Sequence, residues 1–124
     1  MYLNHRPSKI MVHCSPCNFT GPYAHWLQGI PFTFVHTVFP NEVFGLPIKE
    51  ENPHHSTDVV RIRALLRYGG IYLDADVFVV QPLRRFLHYE ATVTWPHGYT
   101  FGNMIMISHK NSRILRLFMD TYRE

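Results

Sequence analysis

The chain has 124 residues, of which 46% are hydrophobic, 15% aromatic and 17% charged, and its formal net charge is +3. This composition indicates that residues 1–124 form a single globular domain with a core of moderate size, and it excludes a disordered polar chain. The basic residues are scattered rather than gathered in a long stripe, which argues against a nucleic-acid-binding surface. No stretch approaches eighteen apolar residues, so the sequence contains no candidate membrane span.

Two short apolar segments in the first third of the chain predict buried strands. They are Lys9 to His13 and Phe32 to His36, and each is followed by turn-prone residues. Further along, Pro40 to Glu42 and Pro47 to Pro53 predict loops, because prolines punctuate both segments.

The only two cysteines, Cys14 and Cys17, are separated by Ser-Pro. A structural zinc site would need two more ligands at suitable spacing, and no histidine completes such a pattern. A redox C-x-x-C motif would open a helix, whereas the prolines and Gly21 nearby predict a loop. We interpret the pair as a loop disulfide or as two free thiols. The run Asn18–Thr20 is an N-glycosylation sequon, which fits a lumenal protein.

A helix is predicted over residues 55–69. Apolar side chains recur there at helical spacing, at Val59, Ile62 and Leu66. Ser56 or Thr57 can cap the start of this helix, and a glycine, Gly69, can end it.

Two charged residues, Asp58 and Arg61, lie three positions apart near the start of this helix. They project from one face of its first turns, toward the strand end described next. In isolation this spacing is that of an ordinary surface ion pair. Arg63 and Arg67 are interpreted as a solvated basic face of the same helix.

The run Asp74-Ala75-Asp76 follows a glycine pair and a short apolar segment. Residues i and i+2 of an extended segment face the same side, so two carboxylates can converge there on one cation. Hard oxygen donors suit Mg²⁺ or Mn²⁺, which complete their shell with water and phosphate oxygens. Taken alone, a D-x-D run is also explained by a turn cap and a solvated carboxylate.

The remaining elements alternate strands and helices. Residues 71–80 predict a strand before the acidic pair and a second extended piece after it, ended by Pro82. Ala91 to Trp95 and Asn103 to Ile107 predict further strands. Asn111 to Arg123 predicts an amphipathic helix, whose apolar face is expected at Ile114, Leu117, Phe118 and Tyr122. This alternation favours an α/β domain with a mostly parallel sheet and a ligand at the carboxyl ends of its strands.

Residues 54–83 contain S-x-D-x-x-R, Y-G-G-x-Y-L-D and D-x-D in order. This segment resembles the DXD sugar-binding region of family 32 glycosyltransferases, many of which have His-Ala-Ser-Asp where this chain has His-Ser-Thr-Asp. The family includes animal α-1,4-galactosyltransferases and N-acetylglucosaminyltransferases and fungal α-1,6-mannosyltransferases. The resemblance extends to Lys9–His13, Val43–Gly45, Gly102–Met106 and Ser112–Tyr122, and so covers most of the chain.

The resemblance implies a GT-A-like, Rossmann-type fold. It also implies an enzyme that transfers a hexosyl unit from a UDP- or GDP-hexose to a hydroxyl of a glycan or glycolipid. Mn²⁺, or Mg²⁺, is the implied cofactor.

The resemblance also implies roles for individual residues. Asp58 and Arg61 are expected to hold hydroxyls of the donor sugar. Tyr72 and Asp74 are expected at the nucleotide, with Asp74 near the ribose or a metal-bound water. Asp76 is expected to bind the metal directly, so that Asp74 and Asp76 form the catalytic and metal-binding pair. Asn103 is expected on the acceptor side.

Family catalytic domains are usually longer than this chain, which implies a partial domain. By resemblance, the protein is expected in the Golgi lumen with a type II membrane anchor. Two other function classes stay open at this point. One is a non-catalytic nucleotide-sugar- or carbohydrate-binding remnant. The other is a D-x-D phosphohydrolase, which the missing Thr or Ser and Lys partners make a poor match.

Overall fold

The computed structural model describes residues 2–18, 20–22, 24–48, 54–95 and 97–123. The helices are α1 (Tyr2–His5), α2 (His54–Tyr68) and α3 (Arg113–Asp120), with short 3₁₀ helices at Ala24–Leu27, Arg84–His88 and Thr121–Arg123. The strands are β1 (Ile10–Cys14), β2 (Phe32–His36), β3 (Glu42–Val43), β4 (Leu46–Pro47), β5 (Gly70–Leu73), β6 (Ala91–Thr94) and β7 (Gly102–Ser108). Most of the loop predicted before α2, residues 49–53, lies outside the described residues.

Among the described residues the strands form three sheets, and their pairing corrects the expectation of a mostly parallel sheet. The largest sheet has the order β5-β7-β6, and β7 is antiparallel to both neighbours. Strands β3 and β4 form a small antiparallel hairpin, and only β1 and β2 pair in parallel among the described strands. The physical reason lies partly in loop length, because the short connection from β6 to β7 returns the chain beside itself and so produces antiparallel neighbours.

Helix α2 confirms the helix predicted over residues 55–69, with one correction at its start. The helix begins at His54, so Thr57 lies inside the first turn, where its hydroxyl donates to the His54 carbonyl at 2.6 Å. At the other end, the Gly69 amide donates to the Leu65 carbonyl at 2.7 Å, and Gly69 has a φ of 68°. Only glycine adopts that conformation without cost, so Gly69 ends the helix as predicted and turns the chain into β5.

The core lies between α2, α3 and β7. Its fully buried side chains are Val59, Ile62, Leu65, Met106 and Leu115. The predicted apolar face of α3 is confirmed only in part: Phe118 and Tyr122 pack against the core, but Ile114 and Leu117 are exposed whereas Leu115 and Met119 are buried. The helix starts after Ser112, whose hydroxyl accepts the Leu115 amide.

Two other loop regions bear on the expectations from sequence. Cys14 and Cys17 form a disulfide in the loop after β1, which decides between the two alternatives left open. Strand β5 ends at Leu73, and the extended piece predicted after the acidic pair, residues 77–80, pairs with no other strand among the described residues. Among the described residues, no helix combines the length and apolar character needed to cross a membrane.

Candidate functional site

Three elements bring polar side chains together at one end of the β5-β7-β6 sheet. Helix α2 contributes Asp58 and Arg61 from its first turns, β5 leads into Asp74, and β7 contributes Asn103 near its start. The chain reverses at Gly69, so the start of α2 and the end of β5 lie at the same end of the fold. This reversal explains why residues 13 positions apart, Arg61 and Asp74, are in contact.

Arg61 is the centre of this cluster. Its side chain is largely buried, with 7% of the residue exposed. One terminal nitrogen, Nη1, lies 3.2 Å from Asp74 Oδ1 and donates to the backbone carbonyl of Asn103 at 2.8 Å. The other, Nη2, lies 3.4 Å from Asp58 Oδ1. A buried guanidinium requires such partners because leaving its charge unpaired would cost several kcal/mol, of the order of 3–5.

Asn103 links the two ends of the cluster. Its side-chain oxygen accepts from Arg61 Nη1 at 2.9 Å, and its amide nitrogen donates to Asp58 Oδ1 at 2.7 Å. The pairing of β6 and β7 is irregular beside it, since Val93 pairs with Met106 while Thr94 pairs with Gly102. Irregular pairing of this kind redirects side chains, and bulges are frequent next to functional sites.

Tyr72 closes the cluster from the sheet. Its hydroxyl donates to Asp74 Oδ1 at 2.6 Å, and its ring centroid lies 4.8 Å from the Arg61 guanidinium carbon. Burial and the hydrogen bond to Asp74 raise the pKa of the Tyr72 hydroxyl well above its ordinary value. Tyr72 therefore stays protonated at neutral pH and continues to donate to the carboxylate.

Asp76 has a different environment from Asp74. The backbone turns at residues 74–77, where the Val77 amide donates to the Asp74 carbonyl at 3.1 Å, and Asp76 lies exposed on this turn. The two carboxylates are therefore not equivalent members of an extended pair. Asp74 is committed to Arg61 and Tyr72, whereas no ion pair of Asp76 occurs within the described part of the chain.

The donors at this turn fit a hard divalent cation. Both aspartates offer carboxylate oxygens, and one or two protein carboxylates are the number that Mg²⁺ or Mn²⁺ takes when phosphate oxygens and water complete its shell. Among the residues that the structure describes, no three His, Cys, Asp or Glu side chains are grouped as a complete metal site. Two carboxylates leave most of the coordination shell of such a cation to water or phosphate oxygens.

The cluster contains residues that sequence reasoning placed elsewhere or did not use as site residues. Asn103, expected on the acceptor side, contacts the two residues expected at the donor sugar. Tyr122 was assigned only to the apolar face of the last helix. Burial and the nearby Asp58 carboxylate raise the pKa of Tyr122, against a smaller opposing effect of Arg61. The resemblance predicted Asn103 as a site residue but not its bonds to Asp58 and Arg61, because these are tertiary contacts.

Comparison with known proteins identifies a family for the chain that carries this site. The family model described as "Glycosyltransferase sugar-binding region containing DXD motif" matches residues 21–97, which is more than half of the chain and includes α2, β5 and the acidic turn. No solved structure is significantly similar to the chain.

Two curated relatives are similar in sequence. The chain is 30% identical to Glucan organizing enzyme 1 of Cryptococcus neoformans over 132 aligned positions, which cover 97% of the chain and 34% of that protein. It is 34% identical to the uncharacterized protein At4g19900 of Arabidopsis thaliana over 73 positions, covering 56% of the chain and 11% of that protein. The chain thus spans about a third of the first relative and about a tenth of the second. With the match to the family model, these similarities establish that the chain belongs to the glycosyltransferase family whose sugar-binding region contains a DXD motif.

Proposed function

We propose that this chain is the donor-binding part of a hexosyltransferase with a GT-A-like fold. It acts on a UDP- or GDP-hexose in the presence of Mn²⁺ or Mg²⁺, and the acceptor is a hydroxyl of a glycan or glycolipid. Membership of the family supports glycosyl transfer in general. The observation that supports the finer proposal is the difference in environment between two neighbouring carboxylates. Asp74 is held by Arg61 and Tyr72, whereas Asp76 is exposed on the turn.

In this proposal Asp76 is the direct metal ligand. A bound divalent cation would supply positive charge that offsets the charge developing on the departing diphosphate. Asp74 already accepts hydrogen bonds from Tyr72 and Arg61, so it is oriented before any ligand arrives. We assign it to the ribose or to a metal-bound water. Tyr72, which holds Asp74 in this orientation, lies on the nucleotide side.

Asp58 and Arg61 are assigned to the hydroxyls of the donor sugar. Arg61 Nε is buried and has no hydrogen-bond partner among the described residues. An unpaired buried donor is costly, so a small local adjustment that offers it a sugar hydroxyl would be favourable. Asn103 bonds both Arg61 and Asp58 and therefore positions the pair.

The cellular setting proposed is the Golgi lumen, with a type II membrane anchor in the complete protein. The disulfide between Cys14 and Cys17 supports an oxidising compartment, where such bonds persist.

The test is calorimetric titration of the full-length protein with UDP, UDP-galactose, UDP-glucose and GDP-mannose, each with and without Mn²⁺. We expect one nucleotide series to bind far more tightly with Mn²⁺, because the diphosphate oxygens complete the coordination shell of the metal. Asp76→Asn should remove this dependence and lower turnover by about 10²–10³-fold, since a charged ligand near the leaving group is lost. Asp120→Asn, another exposed aspartate, is the matched control and should change neither.

The outcomes separate the candidate functions. Equal nucleotide affinity with and without Mn²⁺ would contradict the metal site. Tight Mn²⁺-dependent binding with no transfer and no donor hydrolysis would favour the non-catalytic remnant.

A further inference from the structure

The connection between β6 and β7 presents large aromatic side chains to solvent. Trp95 is 73% exposed and Tyr99 is 76% exposed. Large aromatic side chains are stabilised when their apolar surface is removed from water. Two solvent-exposed rings on one short loop therefore indicate a surface that binds a ligand. We define these two residues as the loop aromatics.

The loop holds Trp95 in one orientation. Its indole N–H donates to the Tyr99 carbonyl at 2.8 Å, and Gly98, with a φ of 80°, allows the turn between them. The Trp95 ring also meets Phe101 edge to face, with their centroids 6.3 Å apart. The single polar atom of the indole is therefore satisfied within the loop, and its open surface is purely apolar. A ring fixed in this way loses little freedom when a ligand packs on it.

The base of this loop lies beside the Arg61 cluster. Thr94 pairs with Gly102, and its hydroxyl donates to the Gly102 carbonyl at 3.1 Å, which places the base of the loop next to Asn103. Asn103 in turn bonds Arg61 and Asp58.

A row of rings leads from the loop onto α3 and the 3₁₀ helix that follows it. The centroid of Phe101 lies 5.6 Å from that of Phe118, which lies 6.3 Å from that of Tyr122. The aromatic row thus begins at the exposed loop and ends at Tyr122, which packs against the core.

We propose that Trp95 and Tyr99 form the acceptor subsite, in which a pyranose ring of the acceptor saccharide stacks its C–H face on Trp95. This inference rests on the proposed function and adds the acceptor to it. A pyranose has an apolar face with a polar rim, and the loop offers the complement: apolar rings flanked by exposed His97 and Thr100. A pyranose ring needs only one such aromatic face, whereas a stable protein partner needs about 800 Å² on each side.

The geometry favours the acceptor over the donor as the occupant of the loop. The donor sugar must lie by the diphosphate and its metal, which the proposal assigns to Asp76 and Asp74. The loop aromatics follow β6 and precede β7, and they reach that region only through Asn103. A saccharide stacked on the loop would therefore approach the cluster from the β6 side, opposite to the entry of the nucleotide from the turn after β5.

The kinetic test uses Trp95→Ala and Tyr99→Ala in the full-length protein. We expect each substitution to raise the acceptor KM by roughly tenfold, which is the size of effect typical of a residue that contributes substantially to binding. Hydrolysis of the nucleotide sugar by water, which requires no acceptor, should keep its rate. Trp95→Phe, which retains a ring, should recover part of the lost affinity. Tyr89→Ala is the matched control, because Tyr89 is also exposed but lies at the opposite end of β6.

A binding test is independent of catalysis. Protein labelled with 5-fluorotryptophan is titrated with lactose, gluco-oligosaccharides and manno-oligosaccharides, and Trp95→Phe identifies the Trp95 signal. We expect at least one saccharide series to shift that signal without addition of a nucleotide.

The results distinguish this inference from the function on which it rests. A wild-type protein that neither binds nor hydrolyses a nucleotide sugar, yet shows a saccharide shift at Trp95, would contradict the proposed enzyme and support the loop as a sugar-binding surface. The inference is overturned if no saccharide shifts the Trp95 signal. It is equally overturned if the loop variants lower donor hydrolysis as much as transfer, or if they leave the acceptor KM unchanged.

Discussion

At the scale of single residues, the site depends on one buried arginine. Arg61 ties together a helix, the end of one strand and the start of another through Asp58, Asp74 and Asn103. The planar guanidinium presents several donors in fixed directions, which an ammonium group does not. The identity of this side chain therefore matters more than its charge.

We predict that Arg61→Lys lowers the free energy of unfolding by roughly 1–3 kcal/mol, because lysine keeps the charge but cannot contact all three partners at once. Denaturant unfolding measures this change. Arg63→Lys on the exposed side of the same helix is the matched control, and its effect should lie within about 0.5 kcal/mol of zero. Equal effects of the two substitutions would show that the buried contacts add nothing to stability.

The same variant separates the two ligand roles. We expect Arg61→Lys to reduce affinity for the nucleotide sugar more than affinity for the bare nucleoside diphosphate with Mn²⁺, because the bare ligand lacks the sugar that Arg61 is proposed to bind. A parallel loss for both ligands would instead make Arg61 a purely structural clasp.

At the scale of elements, the junction between α2 and β5 sets the geometry of the site. Gly69 has positive φ and lies against the backbone that follows β7, so that an added Cβ would come within 2.7 Å of the Lys110 nitrogen. Both the conformation and the space at this position require glycine. Because Gly69 has no side chain, the backbone between α2 and β5 can lie directly against the backbone at Lys110, and β5 can begin immediately after α2.

We predict that Gly69→Ala destabilises the protein by more than Gly98→Ala. Both glycines have positive φ, which costs an L-residue about 1–2 kcal/mol, but a Cβ at Gly98 would meet open space. The excess at Gly69 comes from the backbone contact, and thermal unfolding of the two variants measures it. Similar melting temperatures for both variants would mean that the backbone around Lys110 yields without cost.

At the scale of the whole molecule, an ion pair joins the sheet to the last helix. Glu90, just before β6, accepts the Arg113 amide at 2.6 Å and the Arg113 guanidinium at 2.6 Å. The side-chain hydrogen bonds from Arg113, aided by its backbone amide, lower the pKa of Glu90 to about 2. Glu90 also lies at the N-terminus of α3, where a negative charge is favourable.

This pKa predicts a pH dependence of stability. A carboxyl whose pKa is lower in the folded state stabilises the fold above its unfolded pKa, and this contribution disappears as the pH falls through the folded value. We therefore expect wild type to exceed Glu90→Gln in stability at pH 6 and the difference to shrink between about pH 4.5 and pH 2. Urea unfolding at several pH values measures it.

The control uses the partner of Glu90. In an Arg113→Gln background the Glu90→Gln substitution should have a much smaller effect, because the guanidinium is already absent. A difference between wild type and Glu90→Gln that stays constant down to pH 2 would contradict the lowered pKa of Glu90, and an undiminished effect in the Arg113→Gln background would contradict Arg113 as its cause.

The sequence was sufficient to predict the elements that rest on local signals. Helix α2 and its glycine end follow from apolar spacing and backbone chemistry, and the strands near residues 10–14, 32–36, 91–94 and 102–108 follow from short apolar runs. The family also follows from the motifs around α2 and the acidic turn. These features depend on residues close together in the chain.

The features that sequence reasoning missed depend on distant contacts. The antiparallel direction of β5 and β7 is not encoded in either strand alone, and the burial of Leu115 and Met119 on α3 depends on packing against residues of the core that are distant in sequence. Asn103 joins Asp58 and Arg61 through an irregular strand pairing that no periodicity reports. The roles of the site residues themselves stay predictions.

The glycine junction also affects the order in which the site can assemble during folding. Arg61 contacts Asp74 across 13 residues but Asn103 across 42. Closing the longer segment costs about 1 kcal/mol more conformational entropy, since the cost grows with the logarithm of loop length. Contacts between near neighbours in sequence also form faster. We therefore expect the helix–strand unit with its arginine–aspartate pair to form before β7 docks, so that the asparagine is the last of these side chains to enter the site.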